Sequence, residues 1–195
     1  MACFRKPTLA VLLLSCLLAT AAGKPKIKVA SDGFPTGQGT PEGAASDLAR
    51  AFMQADAAWF RRVCIPPYRG GQSRSDYVEY LSGVSAHLEQ ERGKKSPSPD
   101  RPTKITKVFA ARHLSKNGPA SYGYAAFGFQ DTMFVDVEVL LGSGERHLRR
   151  TMVIKNEDGR WYVQPVPDVS PLLSYGLYEE SASAQPFSDV YEVEH

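Results

Sequence analysis

Strand-like segments follow one another closely in the second half of this chain, and the short connections between them constrain how they can pair. β-branched and aromatic residues are enriched in the segments 105–114, 121–130, 133–141, 146–154 and 160–164. Turn-forming residues separate these segments at 117–119, 130–132, 142–144 and Asp158-Gly159. A parallel crossover needs roughly a dozen residues or more. Consecutive strands are therefore expected to be antiparallel.

Three helices are expected before the strands. Thr40 caps the first, with Pro41 in its first turn, and its apolar face is formed by Ala45, Leu48, Ala49, Phe52 and Met53. Asp56 caps a short second helix, which Pro66-Pro67 ends. Asp76 and Glu79 form an acidic capping box for a third helix over about 76–91, whose stripe contains Tyr77, Tyr80, Leu81, Val84 and Leu88.

Helices followed by a run of antiparallel strands predict an α+β fold, with the N-terminal helices packed on one face of a curved antiparallel sheet. Two segments carry a resemblance to a known family. Ala55-Asp56-Ala57-Ala58 stands at the end of the first helix, and the segment 155–163 runs through the last hairpin. With this element order, residues 40–165 resemble the nuclear transport factor 2-like superfamily, which includes ketosteroid isomerase, scytalone dehydratase, polyketide cyclases and many secreted bacterial proteins of unknown role.

The resemblance implies a cone-shaped domain over residues 40–168, with a pocket between the bent sheet and the helices. A homodimer that pairs through the sheet is a further expectation. The fold hosts many unrelated activities, so the resemblance does not identify a ligand or a reaction.

The first 22 residues have the pattern of a cleaved export signal. Arg5 and Lys6 form a basic region, residues 9–18 are almost unbroken in their apolar character, and small residues at 19–23 offer a cleavage site. The alternative is a lipoprotein acylated at Cys16, which leaves residues 17–22 without a role. We therefore expect an exported protein, in the periplasm, at the cell surface or outside the cell. Residues 23–39, which lack apolar periodicity, are expected to form a flexible leader.

Removal of the signal leaves Cys64 as the single cysteine, so no internal disulfide is expected, and Cys64 is predicted to be a buried, inert thiol. The remaining 21 basic and 21 acidic residues balance, which does not point to nucleic acid. Residues 169–195 contain five acidic residues and no Lys or Arg, so they are expected to form an acidic, partly disordered tail.

Alternation along the strands predicts which side chains enter the cone. Val135, Val137, Val139 and Leu141 are expected to face inward, with Asp136 and Glu138 outward. On the next strand, Arg150 shares parity with Leu148, Met152 and Ile154 and is expected to face inward too. Trp161 shares a face with Val163 and is expected to pack in the core against the helices.

The predicted ligand-binding residues are Trp59, Tyr122, Tyr124 and Arg150. The aromatic side chains provide apolar area with polar tips, and an inward guanidinium would hold an anionic or carbonyl end of a ligand. His87, His113 and His147 lack the spacing of metal ligands, and there is no phosphate-binding glycine loop or nucleophile elbow. No cofactor, metal, catalytic residue or stable membrane span is therefore predicted.

Two functions remain open at this stage. The favoured one is an exported, non-catalytic module that binds a small apolar ligand or a protein partner. The alternative is a cofactor-independent isomerase, dehydratase or cyclase acting on a carbonyl-bearing substrate. An inward carboxylate with a raised pKa beside Tyr122 or Tyr124 would favour the enzyme.

Overall fold

The computed structural model describes residues 23–66, 72–113, 131–164 and 185–194. The expected export signal, the strand over 121–130 with Tyr122 and Tyr124, and residues 169–184 of the expected tail lie outside these ranges. Within them, no helix is long and apolar enough to cross a membrane.

The first two helices begin at the capping residues that the sequence predicts. Helix α1 spans Pro41–Met53, and the Thr40 hydroxyl accepts a hydrogen bond from the Gly43 N–H at 3.1 Å. Helix α2 spans Ala57–Val63, and Asp56 Oδ1 accepts from the Trp59 N–H at 2.8 Å. These side chains satisfy N–H groups that a helix start leaves without intrahelical partners.

Helix α3 spans Gln72–Arg92 and so begins upstream of its expected start. Asp76 therefore lies inside the helix and does not cap it, because nothing in 72–75 prevents the helix from extending back toward Gly70-Gly71. The expected apolar stripe is confirmed by the burial of its members: Tyr77, Tyr80, Leu81 and Val84 are half-buried and Leu88 is buried.

The main sheet is antiparallel, as expected, and confirms the α+β class. Its strands are β2 (Pro102–Val108), β3 (Arg112–His113), β4 (Asp131–Leu141), β5 (Arg146–Lys155) and β6 (Trp161–Gln164), with β1 (Lys26–Lys28) outside it. The strand order is β2-β4-β5-β6, and β3 also pairs with β4. The expected strand 105–114 is thus two short strands, between which Ala110 donates its N–H to Gln185 O at 2.8 Å.

The core lies between the helices and the face of the sheet that carries Val135, Val137 and Val139, as the alternation predicts. Trp161 belongs to this core with 7% of its surface exposed, and its backbone N–H donates to Gln38 O at 2.8 Å. The expected burial of Trp161 against the helices is therefore confirmed.

Residues 26–38 differ from the expected flexible leader. Ile27 is 1% exposed in the core, and the guanidinium of Arg50 binds Asp32 at 2.6 Å and Asp47 at 2.8 Å. The absence of a side chain at Gly43 lets this segment lie on α1, since a Cβ there would stand 2.2 Å from Gly37 O. Contacts with distant residues hold the segment in place, and local periodicity does not reveal such contacts.

Residues 185–194 form an ordered part of the segment expected to be an acidic, partly disordered tail. They form helix α4 (Phe187–Val190) and strand β7 (Glu192–Glu194), and β7 pairs with β1 in parallel. Phe187 is buried, with its ring centroid 6.4 Å from that of Phe34. In the pairing, Ile27 stands opposite Val193, while lysines of β1 stand opposite glutamates of β7. Apolar contact and opposite charges therefore both favour docking of this end of the chain.

Candidate functional site

A cavity of about 900 Å³ opens between the helices and the hairpin of β4 and β5. Phe52 at the end of α1 and Leu88 on α3 contribute apolar surface, and residues 147–150 of β5 form part of the opposite wall. Val139 and Leu141 of β4 continue the apolar lining. The volume is within the range of small-molecule sites in proteins.

Arg149 is a cationic residue of this cavity that the sequence analysis did not select. It stands opposite Val137 in the β4–β5 register and therefore faces the helices with the valines. Its guanidinium carbon lies 4.5 Å from the centroid of the Phe52 ring. No ion pair joins Arg149 to any carboxylate within the described part of the chain. It is a half-buried cation held over an aromatic face.

The surroundings of Arg149 affect its ionisation. Burial lowers the pKa of the guanidinium from its ordinary value, and the neighbouring Tyr80 and Cys64 offset part of that effect. Burial likewise raises the pKa of the Tyr80 hydroxyl, which keeps it neutral. An arginine still retains its charge in such a site, so an anion that enters the cavity meets a poorly solvated positive charge.

The expected inward position of Arg150 is wrong. Arg150 stands opposite Asp136, and its Nε and Nη2 donate to the two carboxylate oxygens of Asp136 at 2.8 and 3.1 Å on the face away from the helices. Residues 152–154 of β5 are all buried, on both faces of the sheet, so hydrophobicity does not distinguish the two faces of this strand. The pairing register of the hairpin gives the correct face for these two arginines. Leu140 pairs with Arg146 beside the turn at 142–145, so three residues further along each strand Val137 pairs with Arg149.

Asp136 and Glu138 point away from the helices, as expected, but they differ in their surroundings. Asp136 is 2% exposed and binds two guanidinium groups, those of Arg150 and Arg112. Glu138 is half-buried and accepts a hydrogen bond from the Thr106 hydroxyl at 2.7 Å. The cluster formed by Asp136, Arg112 and Arg150 ties β3, β4 and β5 together, which is a structural role for Arg150.

Glu91, Lys94 and Arg101, at the rim of the cavity, are engaged by neighbouring groups of the protein. Glu91 of α3 forms an ion pair with Lys94 and accepts from the Ser98 hydroxyl at 2.8 Å. The hydrogen bond from Lys94, followed by that from Ser98, lowers the pKa of Glu91 to about 2. Arg101 donates to Met53 O at 2.6 and 3.1 Å and so caps the end of α1. A carboxylate held ionised in this way is poorly suited to move protons.

The remaining predicted site residues are not brought together at this cavity. Trp59 is half-buried against the helix–sheet core and is not part of the cavity wall. Tyr122 and Tyr124 lie outside the described residues. Arg150 borders the cavity where β5 forms its wall, although its guanidinium binds Asp136 on the other face.

Cys64 lies in a second cavity, of about 510 Å³, between α2 and α3. It is buried, and burial raises the pKa of its thiol to about 12. A thiol that stays protonated is a poor nucleophile, in agreement with the expectation of an inert cysteine. Across the described ranges, no group of three or more His, Cys, Asp or Glu side chains is arranged to hold a metal ion.

Glu42 of α1 is a fully buried carboxyl. Its Oε1 accepts a hydrogen bond from the Ala111 N–H at 2.7 Å, and its Oε2 has no hydrogen-bond partner among the described residues. Burial raises the pKa of Glu42, and the hydrogen bond from Ala111 only partly offsets this. Glu42 lines neither of the two cavities.

Comparison with known proteins gives one structural likeness. No protein-family model matches the sequence, and no curated protein matches it significantly. A crystal structure from Campylobacter jejuni, of a protein named an NTF2-like transpeptidase, is similar with a TM-score of 0.41 and 13% identity. The likeness covers 65% of this chain and 98% of that one. At this identity the likeness says nothing about what this chain binds.

Proposed function

We propose that this protein is an exported, non-catalytic module whose cavity between α3 and the β4–β5 hairpin binds a small amphipathic ligand with an acidic group. The observation that carries the proposal is Arg149, a cation without an ion-pair partner among the described residues, which lies over Phe52 in the wall of a cavity of about 900 Å³. Export is supported by the signal-like pattern of residues 1–22.

An acidic ligand matches the electrostatics of the cavity. Keeping a charge away from water is costly unless a partner compensates it, and a ligand carboxylate supplies that partner to Arg149. The apolar side chains of Phe52, Leu88, Val139 and Leu141 provide contact for the rest of the molecule. A neutral apolar ligand would gain the apolar contact with the cavity wall but not the ionic contact with Arg149.

Two charged residues at the rim of this cavity are held in ways that suit binding better than catalysis. Glu91, at the rim, is held ionised, and its pKa of about 2 is far from that of an efficient general acid or base near neutral pH. Arg101 is engaged by the backbone of α1.

A second candidate function, a cofactor-independent isomerase, dehydratase or cyclase, has one observation in its favour. Glu42 is a buried carboxyl with a raised pKa, as an acid–base residue of such an enzyme would be. Catalysis by Glu42 would require a substrate to reach this carboxyl, and neither of the two cavities described above extends to Glu42.

Calorimetric titration of the purified protein with octanoate and with 1-octanol tests the main proposal, because the two probes differ in the charge of one end. We expect octanoate to bind at least tenfold more tightly than octanol, since a hydrogen bond to a charged group contributes about 1.5 to 3 kcal/mol. Arg149→Met should remove this difference while leaving octanol binding in place.

Arg146→Met is the matched control, because Arg146 lies on the same strand with its side chain in solvent. Equal binding of octanoate by the Arg149 and Arg146 variants would overturn the assignment of Arg149. Failure of both probes to bind the unmodified protein would overturn the ligand-binding function of the cavity. Turnover of a carbonyl substrate that is lost in Glu42→Gln would instead support the second candidate.

A further inference from the structure

The C-terminal segment, residues 185–194, closes over the buried side chain of Glu42. Its first residues form backbone contacts with the chain after β2, where Gln185 O accepts from the Ala110 N–H and Pro186 bridges to Phe109. Its last residues pair with β1, where the Glu192 N–H donates to Pro25 O at 3.0 Å. Between these two anchors, Tyr191 faces Glu42.

Glu42 is the polar centre of this contact. Its Oε1 is held by the Ala111 N–H, and the unsatisfied Oε2 is fully buried. An ionised carboxylate would place a charge in this buried position with only the Ala111 N–H and the Tyr191 hydroxyl to favour it, whereas a protonated carboxyl needs no counterion. The position of Glu42 in the first turn of α1 favours a negative charge, but burial outweighs that effect and raises its pKa.

No described cation compensates a charge on Glu42. Tyr191 is the titratable group that faces it, and burial together with Glu42 raises the pKa of that hydroxyl, so it stays neutral. The segment 109–111 contributes a backbone N–H and no ionisable side chain. Charged groups on the neighbouring elements are directed elsewhere. Lys26, Lys28, Lys104 and Arg62 are exposed, Arg61 donates to the Ser85 hydroxyl, and Lys107 pairs with Glu138. Arg50 binds Asp32 and Asp47, Arg112 and Arg150 bind Asp136, and Arg149 lies over Phe52.

We propose that Glu42 and Tyr191 form a proton-dependent latch, in which the neutral Glu42 carboxyl holds the C-terminal segment on α1 and loss of its proton releases that segment. Release also removes the partner strand of β1, because β7 pairs with Lys26–Lys28. The latch joins both ends of the described chain to the domain in mildly acidic conditions and loosens them as the pH rises. It is independent of the proposed ligand site, since Glu42 does not line that cavity.

The direction of the pH dependence follows from linkage. When the segment opens, water reaches Glu42 and its pKa returns toward 4.5, whereas the closed state keeps it raised. The closed state therefore binds more protons than the open state between these two values. Docking is strongest below pH 4.5 and weakens about tenfold for each pH unit above it, until the raised pKa is passed and the constant levels off.

Hydrogen–deuterium exchange read by mass spectrometry tests the latch in the intact protein. Exchange is followed at the amides of 26–28 and 185–194 from pH 4.5 to pH 8 and divided by the intrinsic rate at each pH. In the unmodified protein we expect protection to fall about tenfold per pH unit over part of this range and then to level off. In Glu42→Gln, which cannot ionise, we expect protection to stay constant with pH.

Glu89→Gln is the matched control, because it neutralises an exposed glutamate on α3 and should retain the pH dependence of the unmodified protein. A constant protection in the unmodified protein, or an unchanged pH dependence in Glu42→Gln, would overturn the latch. If Glu42→Gln does not fold, a carbon-13 NMR titration of the Glu42 carboxyl in the unmodified protein decides the question. A midpoint above 4.5, near the pH at which the fall in protection levels off, supports the latch, and a midpoint at or below 4.5 refutes it.

Discussion

The guanidinium carbon of Arg149 lies 4.5 Å from the centroid of the Phe52 ring, so strand β5 and helix α1 meet through a cation and an aromatic face. Such a contact contributes about 0.5 to 2 kcal/mol, less than the cost of removing a cation from water without a counterion. Binding of an acidic ligand therefore requires the charge of Arg149, whereas folding stability is lowered by that charge.

Arg149→Met should leave the protein at least as stable as the unmodified form. Methionine keeps contact with Phe52 and removes the half-buried charge, so we expect the free energy of unfolding to stay constant or rise by about 1 to 2 kcal/mol. Urea titration of both proteins measures this difference. A loss of more than about 1 kcal/mol would mean that Arg149 has a structural partner.

Asp136→Asn should destabilise the sheet strongly. The substitution leaves Arg112 and Arg150 facing each other without the carboxylate between them, and breaking a buried charge cluster costs about 3 to 5 kcal/mol. Glu138→Gln is the control on the same strand face, since its ion pairs are longer, at 3.6 and 3.9 Å, and involve exposed partners; it should cost less than about 1 kcal/mol. Similar losses in the two variants would contradict this account.

Trp161→Ala should cost about 3 to 5 kcal/mol, as expected for a large aromatic side chain removed from a packed core. Trp59→Ala provides the comparison, because Trp59 is only half-buried and should cost less. Chemical denaturation of both variants measures the two losses. A cost below about 1 kcal/mol for Trp161→Ala would refute its role in the core.

Glu91 should contribute to acid unfolding. Its pKa in the folded protein is about 2, through the hydrogen bonds from Lys94 and Ser98, against 4.5 for a free glutamate. Its stabilisation is therefore complete above pH 4.5 and is lost as the pH falls through 2. Melting temperatures measured from pH 5 to pH 2 should fall less steeply in Glu91→Gln than in the unmodified protein, and parallel curves would exclude this contribution.

Cys64 should resist thiol reagents in the folded protein. With a pKa of about 12 caused by burial, almost no thiolate is present at pH 8. Peptide mapping after treatment with iodoacetamide should find Cys64 unmodified in the native protein and alkylated after unfolding in guanidinium chloride. Rapid alkylation of the native protein would show that the cavity around Cys64 admits the reagent.

Several features of the fold follow from local sequence. Thr40 and Asp56 cap α1 and α2 because a side-chain oxygen at a helix start needs only a neighbouring N–H group. Strands β4, β5 and β6 are antiparallel because the connections between them are too short for a crossover. The inward valines of β4 alternate with carboxylates, which makes their face readable from the sequence.

The site depends on contacts that local pattern does not contain. The hairpin register places Arg149, and not Arg150, beside α1, and hydrophobic alternation fails on β5 because both of its faces are buried near 152–154. Glu42 is a buried carboxyl with a raised pKa because distant parts of the chain, including Ala111 and Tyr191, pack against it. Short-range hydrogen bonding and periodicity determine where helices and strands form. Which charged side chains lose their water is decided only when remote segments pack together.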